Sequence, residues 1–246
     1  MKDIQNQPDF RKINIKKVGV KNISYPITVL DKENTIQRTV ATVNMYVNLP
    51  HQFKGTHMSR FVEILNRFHG EINLQNFHNI LKEMKDKLQA QAAHMEIKFP
   101  YFLKKSDLLA GTNTIEYKCR MHGSLQNVDD LVLEIQVPIR PPSSAPASGV
   151  MPKSLGNWGI AKVALRFLRF IWIEDLIILI ESVTSHNLSW NDTDKSGIQE
   201  ELTLENMTRS LAKILRANQD ISWFNLNIKN FAQSGNTFAA LEWQAE

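Results

Sequence analysis

The sequence contains a single cysteine, Cys119, among 246 residues. One thiol excludes an intrachain disulfide and a zinc site built from several cysteines. Because Cys119 alternates with apolar Tyr117 and Met121, we expect it in the core. Long apolar runs are also missing, since the most apolar stretch, 167–183, is interrupted by charges such as Arg169. With no apolar signal core at the N-terminus, we expect a cytoplasmic protein that contacts no membrane.

Strong charge of either sign is also absent. Lys and Arg number 29 and Asp and Glu 25, which gives a formal net charge of +4 and a pI of about 9.1. This mild excess suits an anionic ligand such as a nucleoside triphosphate. It falls short of the concentrated basic face of nucleic-acid-binding proteins, so we expect no nucleic acid partner.

Apolar periodicity predicts strands and helices along the first half of the chain. Alternating residues predict a β-hairpin over 18–49. A helix with one apolar face follows from Met58 and is ended by Gly70. A second helix is predicted over 74–93, followed by a short strand that Pro100 stops.

The second half repeats this layout in outline. The predicted strands cover 115–121, 131–139, 163–167, 221–229 and 237–243, with helices over 172–185 and 203–216. We therefore predict an α+β protein with largely antiparallel sheets. The length permits one large core or two small fused units, and the repeat favours modules at 1–110 and 111–246.

A dense run, Lys54-Gly55-Thr56-His57-Met58-Ser59-Arg60-Phe61, carries a family resemblance together with several other runs. These are Tyr25-Pro26-Ile27-Thr28-Val29-Leu30-Asp31, Thr39-Val40-Ala41-Thr42-Val43-Asn44-Met45-Tyr46-Val47, Ala93-His94-Met95-Glu96, Phe99-Pro100-Tyr101-Phe102 and Trp172-Ile173-Glu174-Asp175-Leu176-Ile177. With them the chain resembles GTP cyclohydrolase type IB over nearly its whole length.

The resemblance implies a fold, an assembly and a reaction. The implied fold is the tunnelling fold, with two modules per chain and a homotetramer whose sites lie between subunits. The implied cofactor is a divalent metal (Zn, Mn or Fe). In the implied reaction, metal-activated water attacks carbon 8 of GTP, formate is lost, and dihydroneopterin triphosphate forms for folate and pterin synthesis.

The metal ligands that the resemblance implies are not found at the matching positions. The family's ligand cysteine lies in a motif that aligns with Ala145-Pro146-Ala147-Ser148 of this chain. The motif of one ligand histidine aligns with 155–158, and a second ligand histidine near the C-terminus falls within 230–236. Alanine cannot ligate a metal, and asparagine binds transition metals weakly. At the implied glutamate, Asp194 is the one substitute. The sequence therefore predicts that the family's metal is not retained and that no catalytic residue is recognisable.

Substrate-binding residues are better preserved. The resemblance implies a glutamate that accepts two hydrogen bonds from the guanine ring, and Glu205 aligns with it. The alternative is a solvated helix carboxylate.

The start of the first helix is the second candidate binding region. Lys54, His57, Ser59 and Arg60 provide cations and free N–H groups that suit phosphates. The alternative there is a helix cap with a surface arginine. His94, predicted at a helix end, is expected to be a structural histidine.

Three functional hypotheses remain open at this point. The chain is an active GTP cyclohydrolase, a catalytically inactive paralogue that binds a purine or pterin, or a damaged gene product. Asn157-Trp158-Gly159-Ile160-Ala161-Lys162 resembles the product of a one-base frame shift, which would explain why the departures cluster.

Overall fold

The computed structural model describes residues 15–49, 57–107, 111–127, 129–139, 158–184, 204–232 and 235–245. Its strands are β1 (Ile15–Asp31), β2 (Thr35–Leu49), β3 (Glu71–Ile72), β4 (Ala92–Asp107), β5 (Gly111–Leu125), β6 (Asp129–Ile139), β7 (Trp158–Phe167), β8 (Ile221–Ala232) and β9 (Gly235–Gln244). Its helices are α1 (Ser59–Arg67), α2 (Leu74–Lys87), α3 (Ile173–Thr184) and α4 (Leu204–Ala217). The predicted α+β class is confirmed. None of the described helices is long and apolar enough to cross a membrane.

The described residues form two compact units that are not contiguous in sequence. Unit 1 falls within Met1–Phe102 and Cys119–Leu133, and unit 2 within Leu103–Lys118 and Glu134–Glu246. Strands β4, β5 and β6 each contribute residues to both units. The division into modules at 1–110 and 111–246 remains a prediction.

Unit 1 is built on the predicted hairpin. β1 pairs antiparallel with β2, β2 pairs antiparallel with β4, and β3 adds a two-residue parallel pairing to β1. Along β2, Val43, Met45 and Val47 are fully buried and alternate with partly exposed residues, so one sheet face carries the core. The apolar stripes of α1 and α2 are buried as well and supply the other side of this core.

The prediction of a helix over 74–93 was too long. Helix α2 begins after Asn73, whose side-chain oxygen accepts a hydrogen bond from the N–H of Asn76 at 2.8 Å, and it ends at Lys87. Gln89 then takes a left-handed φ of 48°. Apolar residues continue past this turn, which is why periodicity alone extended the helix.

The predictions for Pro100 and His94 were also wrong. β4 continues through Pro100 to Asp107, because its pairing with β2 ends at Lys98 and the missing N–H costs no hydrogen bond on that side. His94 lies within β4 and does not end a helix.

Unit 2 contains the antiparallel series β7, β8 and β9 with helices α3 and α4. The predicted helices and closing strands of this half are confirmed within a few residues. Glu181 of α3 binds the buried hydroxyl of Tyr117, which donates to its Oε1 at 2.6 Å, and forms an ion pair with Lys105. These bonds fix α3 to the strands of its own unit.

Candidate functional site

The N-terminus of α1 carries most of the predicted phosphate-binding residues. Ser59 is the first helical residue and is exposed, Arg60 is half-buried, and Lys54 lies outside the described residues. The N-cap is Met58, whose side chain makes no capping hydrogen bond. The first turn contains no acidic residue that would repel an anion. The Met58 side chain thus provides no capping hydrogen bond, and both the phosphate role and its alternative, a helix cap with a surface arginine, remain predictions.

Backbone hydrogen bonds tighten this helix start. The N–H of Arg60 donates to the carbonyl of His57 at 3.1 Å, and the N–H of Phe61 donates to that of Met58 at 3.2 Å. Phe61 itself is fully buried. The run thus combines one buried core residue with polar residues that remain accessible. The predicted free N–H groups are not found at Arg60 and Phe61, because both donate within the chain, so an anion here would depend on the side chains.

Glu205 lies in the first turn of α4 in unit 2 and is exposed. An exposed carboxylate at this position interacts favourably with the positive end of the helix. It is also accessible to a ligand with paired N–H donors. Both interpretations fit this location, so the guanine role remains a prediction.

The described residues do not provide a donor set for a divalent metal. No three His, Cys, Asp or Glu side chains of the described ranges come together. Cys119 is 2% exposed, and burial raises the pKa of its thiol far above the usual value, so it provides no accessible thiolate. Asn230, in the run aligned with the implied histidine, is buried in β8. Ala145, Ala147 and Asp194 lie outside the described residues.

Unit 1 contains a polar cavity of about 310 Å³ that was not predicted from the sequence. Its wall includes Lys17, Lys21, Tyr46, His94, Glu96 and Arg120, which we call the cradle. The signal was present in the sequence as polar residues that alternate with buried ones along β2, β4 and β5. The cradle therefore lies on the sheet face opposite the core.

Glu96 is the most strongly bonded side chain of the cradle. Its Oε1 accepts from the Asn44 amide at 2.8 Å and lies 3.1 Å from the Lys98 ammonium, and its Oε2 accepts from Arg120 Nε at 2.7 Å. Burial alone would raise the pKa of Glu96, but hydrogen bonds from Lys98 and Asn44 and the charge of Arg120 lower it below its usual value. Glu96 therefore stays ionised and holds Arg120 in place.

Two rings form a flat surface in the cradle. Tyr46 and His94 stack with their centroids 4.7 Å apart and their planes 14° apart, and the Lys17 ammonium lies 4.8 Å from the Tyr46 centroid. Burial, followed by the positive charge of Lys17, lowers the pKa of His94. His94 is therefore neutral at neutral pH.

The substitution Lys17→Gln tests this electrostatic coupling. Removing the ammonium removes one of the two causes that lower the pKa of His94, so the pKa is expected to rise toward its usual value. An NMR titration of the His94 ring protons measures it. Lys16→Gln, at the neighbouring exposed lysine outside the cavity wall, is the matched control and should leave the pKa unchanged. An equal response to both substitutions would contradict a local interaction.

The chain is similar to one family over most of its length. The family model described as type I GTP cyclohydrolase folE2 matches residues 1–232. GTP cyclohydrolase FolE2 of Syntrophobacter fumaroxidans is 43% identical over 260 residues, covering 98% of this chain and 99% of that protein. GTP cyclohydrolase FolE2 of Syntrophus aciditrophicus is 41% identical over 255 residues, with coverage of 98% and 99%.

Solved structures show the same fold at very low sequence identity. Urate oxidase from Bacillus sp. TB-90 matches with a TM-score of 0.60 at 7% identity, covering 94% of this chain and 100% of that chain. A uricase from Bacillus fastidious matches with a TM-score of 0.58 at 8% identity, covering 94% of each chain. These neighbours share the tunnelling fold, so the predicted fold is confirmed.

Proposed function

The chain belongs to the type I GTP cyclohydrolase folE2 family, and from this membership we propose that it converts GTP and water into 7,8-dihydroneopterin triphosphate and formate. The observation that carries the proposal is identity of 43% across 98% of the chain to a GTP cyclohydrolase. The product would enter folate and pterin synthesis, and the proposed place of action is the cytoplasm. The subtype IB assignment is part of the same proposal.

In this proposal the start of α1 binds the triphosphate of GTP. Its support is that the first turn contains no acidic residue, that the N-cap Met58 makes no side-chain capping bond, and that His57 and Arg60 lie at this end of the helix. Arginine provides planar, permanently charged donors that match phosphate oxygens. Lys54 and Ser59 would add a further cation and a hydroxyl.

Arg60→Gln tests the triphosphate role. Losing one charge-assisted contact is expected to weaken GTP binding by about tenfold. Isothermal titration calorimetry with GTP measures the change. Arg38→Gln, at an exposed arginine of β2, removes the same charge from the same unit and should leave the affinity unchanged. Equal affinities for the two variants would contradict a role for Arg60.

The guanine ring is assigned to Glu205, whose carboxylate would accept hydrogen bonds from two ring-edge N–H groups. Its support is exposure in the first turn of α4 together with the family resemblance of the sequence. No step of the reaction is assigned to a metal ion, because no three potential ligands come together among the described residues and most positions aligned with the family's ligands lie outside them.

One specific observation favours a second candidate function. The single cysteine of the chain is buried and protonated, so a thiolate is not accessible. An inactive member of the family would still bind GTP, another purine or a pterin. Metal analysis with calorimetric GTP titration separates the two: bound metal with turnover supports the enzyme, and GTP binding with neither metal nor turnover supports the inactive member.

We propose a homo-oligomer, a tetramer by family resemblance. The support comes from β9, which is the last strand in the order of the described strands. Among those strands it pairs only with β8, so its other edge is unpaired there. Its Phe238 is 70% exposed, which is unusual for a large apolar side chain on a monomer surface. Analytical ultracentrifugation tests this, and a monomer at micromolar concentration would contradict it.

A further inference from the structure

The register of two strands brings the Tyr46 and His94 rings together in the cradle. Tyr46 of β2 lies directly opposite His94 of β4, and their ring centroids are 4.7 Å apart. The neighbouring residues Met45 and Met95 are buried, so both rings lie on the sheet face opposite the core. Both rings also line the cavity. The stack is therefore part of the cavity wall, where a ring can leave its position without unpacking the core.

Three cations share the cavity wall with this stack. Lys17 and Lys21 each lie in a stretch where β1 loses register with β2, and bulges of this kind redirect side chains. Arg120 lines the same cavity from β5. The wall therefore carries three positive charges before His94 takes up a proton, and an imidazolium at His94 would be the fourth.

The acidic groups of the wall compensate these cations only in part. Glu96, on the same strand as His94, accepts from the Asn44 amide at one oxygen and from Arg120 Nε at the other. Its charge is therefore already committed to groups other than His94. The other titratable groups of the described wall are Asp130 of β6 and His122 of β5. With two carboxylates against three cations, a proton on His94 would increase an existing excess of positive charge.

Two effects disfavour the protonated form of His94 in this position. Burial, followed by the positive charge of Lys17, lowers the pKa of His94 below its usual value of 6.5. The Lys17 ammonium also lies 4.8 Å from the Tyr46 centroid, so this ring already interacts with one cation. A histidine whose pKa is lower in the folded than in the unfolded state makes the folded state less stable as the pH falls below the unfolded value. The stacked arrangement is therefore favoured above pH 6.5 and loses stability below it.

We propose that His94 is a pH-sensitive switch in the wall of this cavity, stacked on Tyr46 when neutral and turned out of the stack when protonated. An imidazolium that leaves the stack regains hydration and moves away from Lys17. The half-buried position of His94 at the cavity permits this movement. Acid thus removes the flat ring surface from the cradle and adds a positive charge to it. This inference concerns unit 1 itself and does not depend on the proposed reaction.

NMR on the full chain with labelled histidine and tyrosine rings tests the switch between about pH 8 and about pH 5, the range in which histidine changes charge. The wild type is expected to lose the nuclear Overhauser contacts between Tyr46 and His94 with the same midpoint as the titration of His94. Lys17→Gln should retain more of these contacts in acid, because one of the two causes that disfavour the imidazolium is removed. Lys16→Gln, at an exposed lysine outside the cavity wall, should behave as the wild type. Contacts that persist in the wild type after His94 has titrated overturn the proposal.

Urea unfolding at the two ends of this pH range provides a second test that needs no ring contact. The wild type should unfold at a lower urea concentration in acid, and His94→Phe should show a smaller decrease because its ring takes up no proton. His69→Asn is the control at an exposed histidine of unit 1 with a left-handed φ of 50°, which asparagine adopts readily. It should keep the full wild-type decrease, as should His122→Gln at the second histidine of the wall. A decrease in His94→Phe equal to that of the wild type, or one that only His122→Gln removes, would overturn the assignment to His94.

Discussion

Glu205→Gln is expected to weaken GTP binding by about 100-fold or more. The proposed contact consists of two hydrogen bonds to a charged carboxylate, each of which contributes about 1.5–3 kcal/mol. The glutamine amide offers one acceptor oxygen and one NH₂ donor to the same edge of the guanine ring. One of the two hydrogen bonds is therefore lost, and the glutamine NH₂ faces a guanine N–H instead. Calorimetric titration with GTP measures the loss.

The control for Glu205 is Glu116→Gln, which removes a carboxylate from an exposed position of the same unit. It should leave GTP affinity within about twofold of wild type. If Glu205 only stabilises the start of α4, its substitution should cost about 0.3–1 kcal/mol of unfolding free energy and leave GTP binding unchanged. That pair of results would contradict the guanine role.

Phe61→Ala is expected to lower the unfolding free energy by about 3–5 kcal/mol. The ring is fully buried, and truncation removes apolar contacts and leaves a cavity. Phe61 ends the run that carries the family resemblance, yet the structure places it in the core of unit 1. Urea unfolding followed by circular dichroism measures the change.

Val62→Ala is the matched control on the same helix. Val62 is 37% exposed, so its truncation should cost less than about 1 kcal/mol. If Phe61→Ala unfolds at the wild-type urea concentration but binds GTP more weakly, the ring contacts ligand and is not a core anchor. That result would require a different arrangement at the start of α1.

Periodicity predicted much of the fold because the core patterns here are simple. The hairpin of β1 and β2 and helices α3 and α4 follow alternating or helical apolar stripes that bury one face. The end of α2 was missed because it depends on the backbone conformation of Gln89, which apolar spacing does not encode. The continuation of β4 through Pro100 was missed because it depends on where pairing with β2 stops.

The candidate sites were predictable to different degrees. The run ending in Phe61 is contiguous, so sequence alone located it at a helix start. The cradle was not recognised because its residues come from β1, β2, β4 and β5 and are brought together by pairing and bulges. Its polar alternation was visible, but a polar strand face usually indicates contact with solvent.

Formate release from GTP labelled at carbon 8 tests the proposed reaction most directly. Purified full-length chain, incubated with labelled GTP and added Zn²⁺ or Mn²⁺, is expected to release labelled formate and to form 7,8-dihydroneopterin triphosphate in equal amounts. GTP that binds in calorimetry but yields neither product with either ion would contradict the cyclohydrolase proposal and favour the inactive family member.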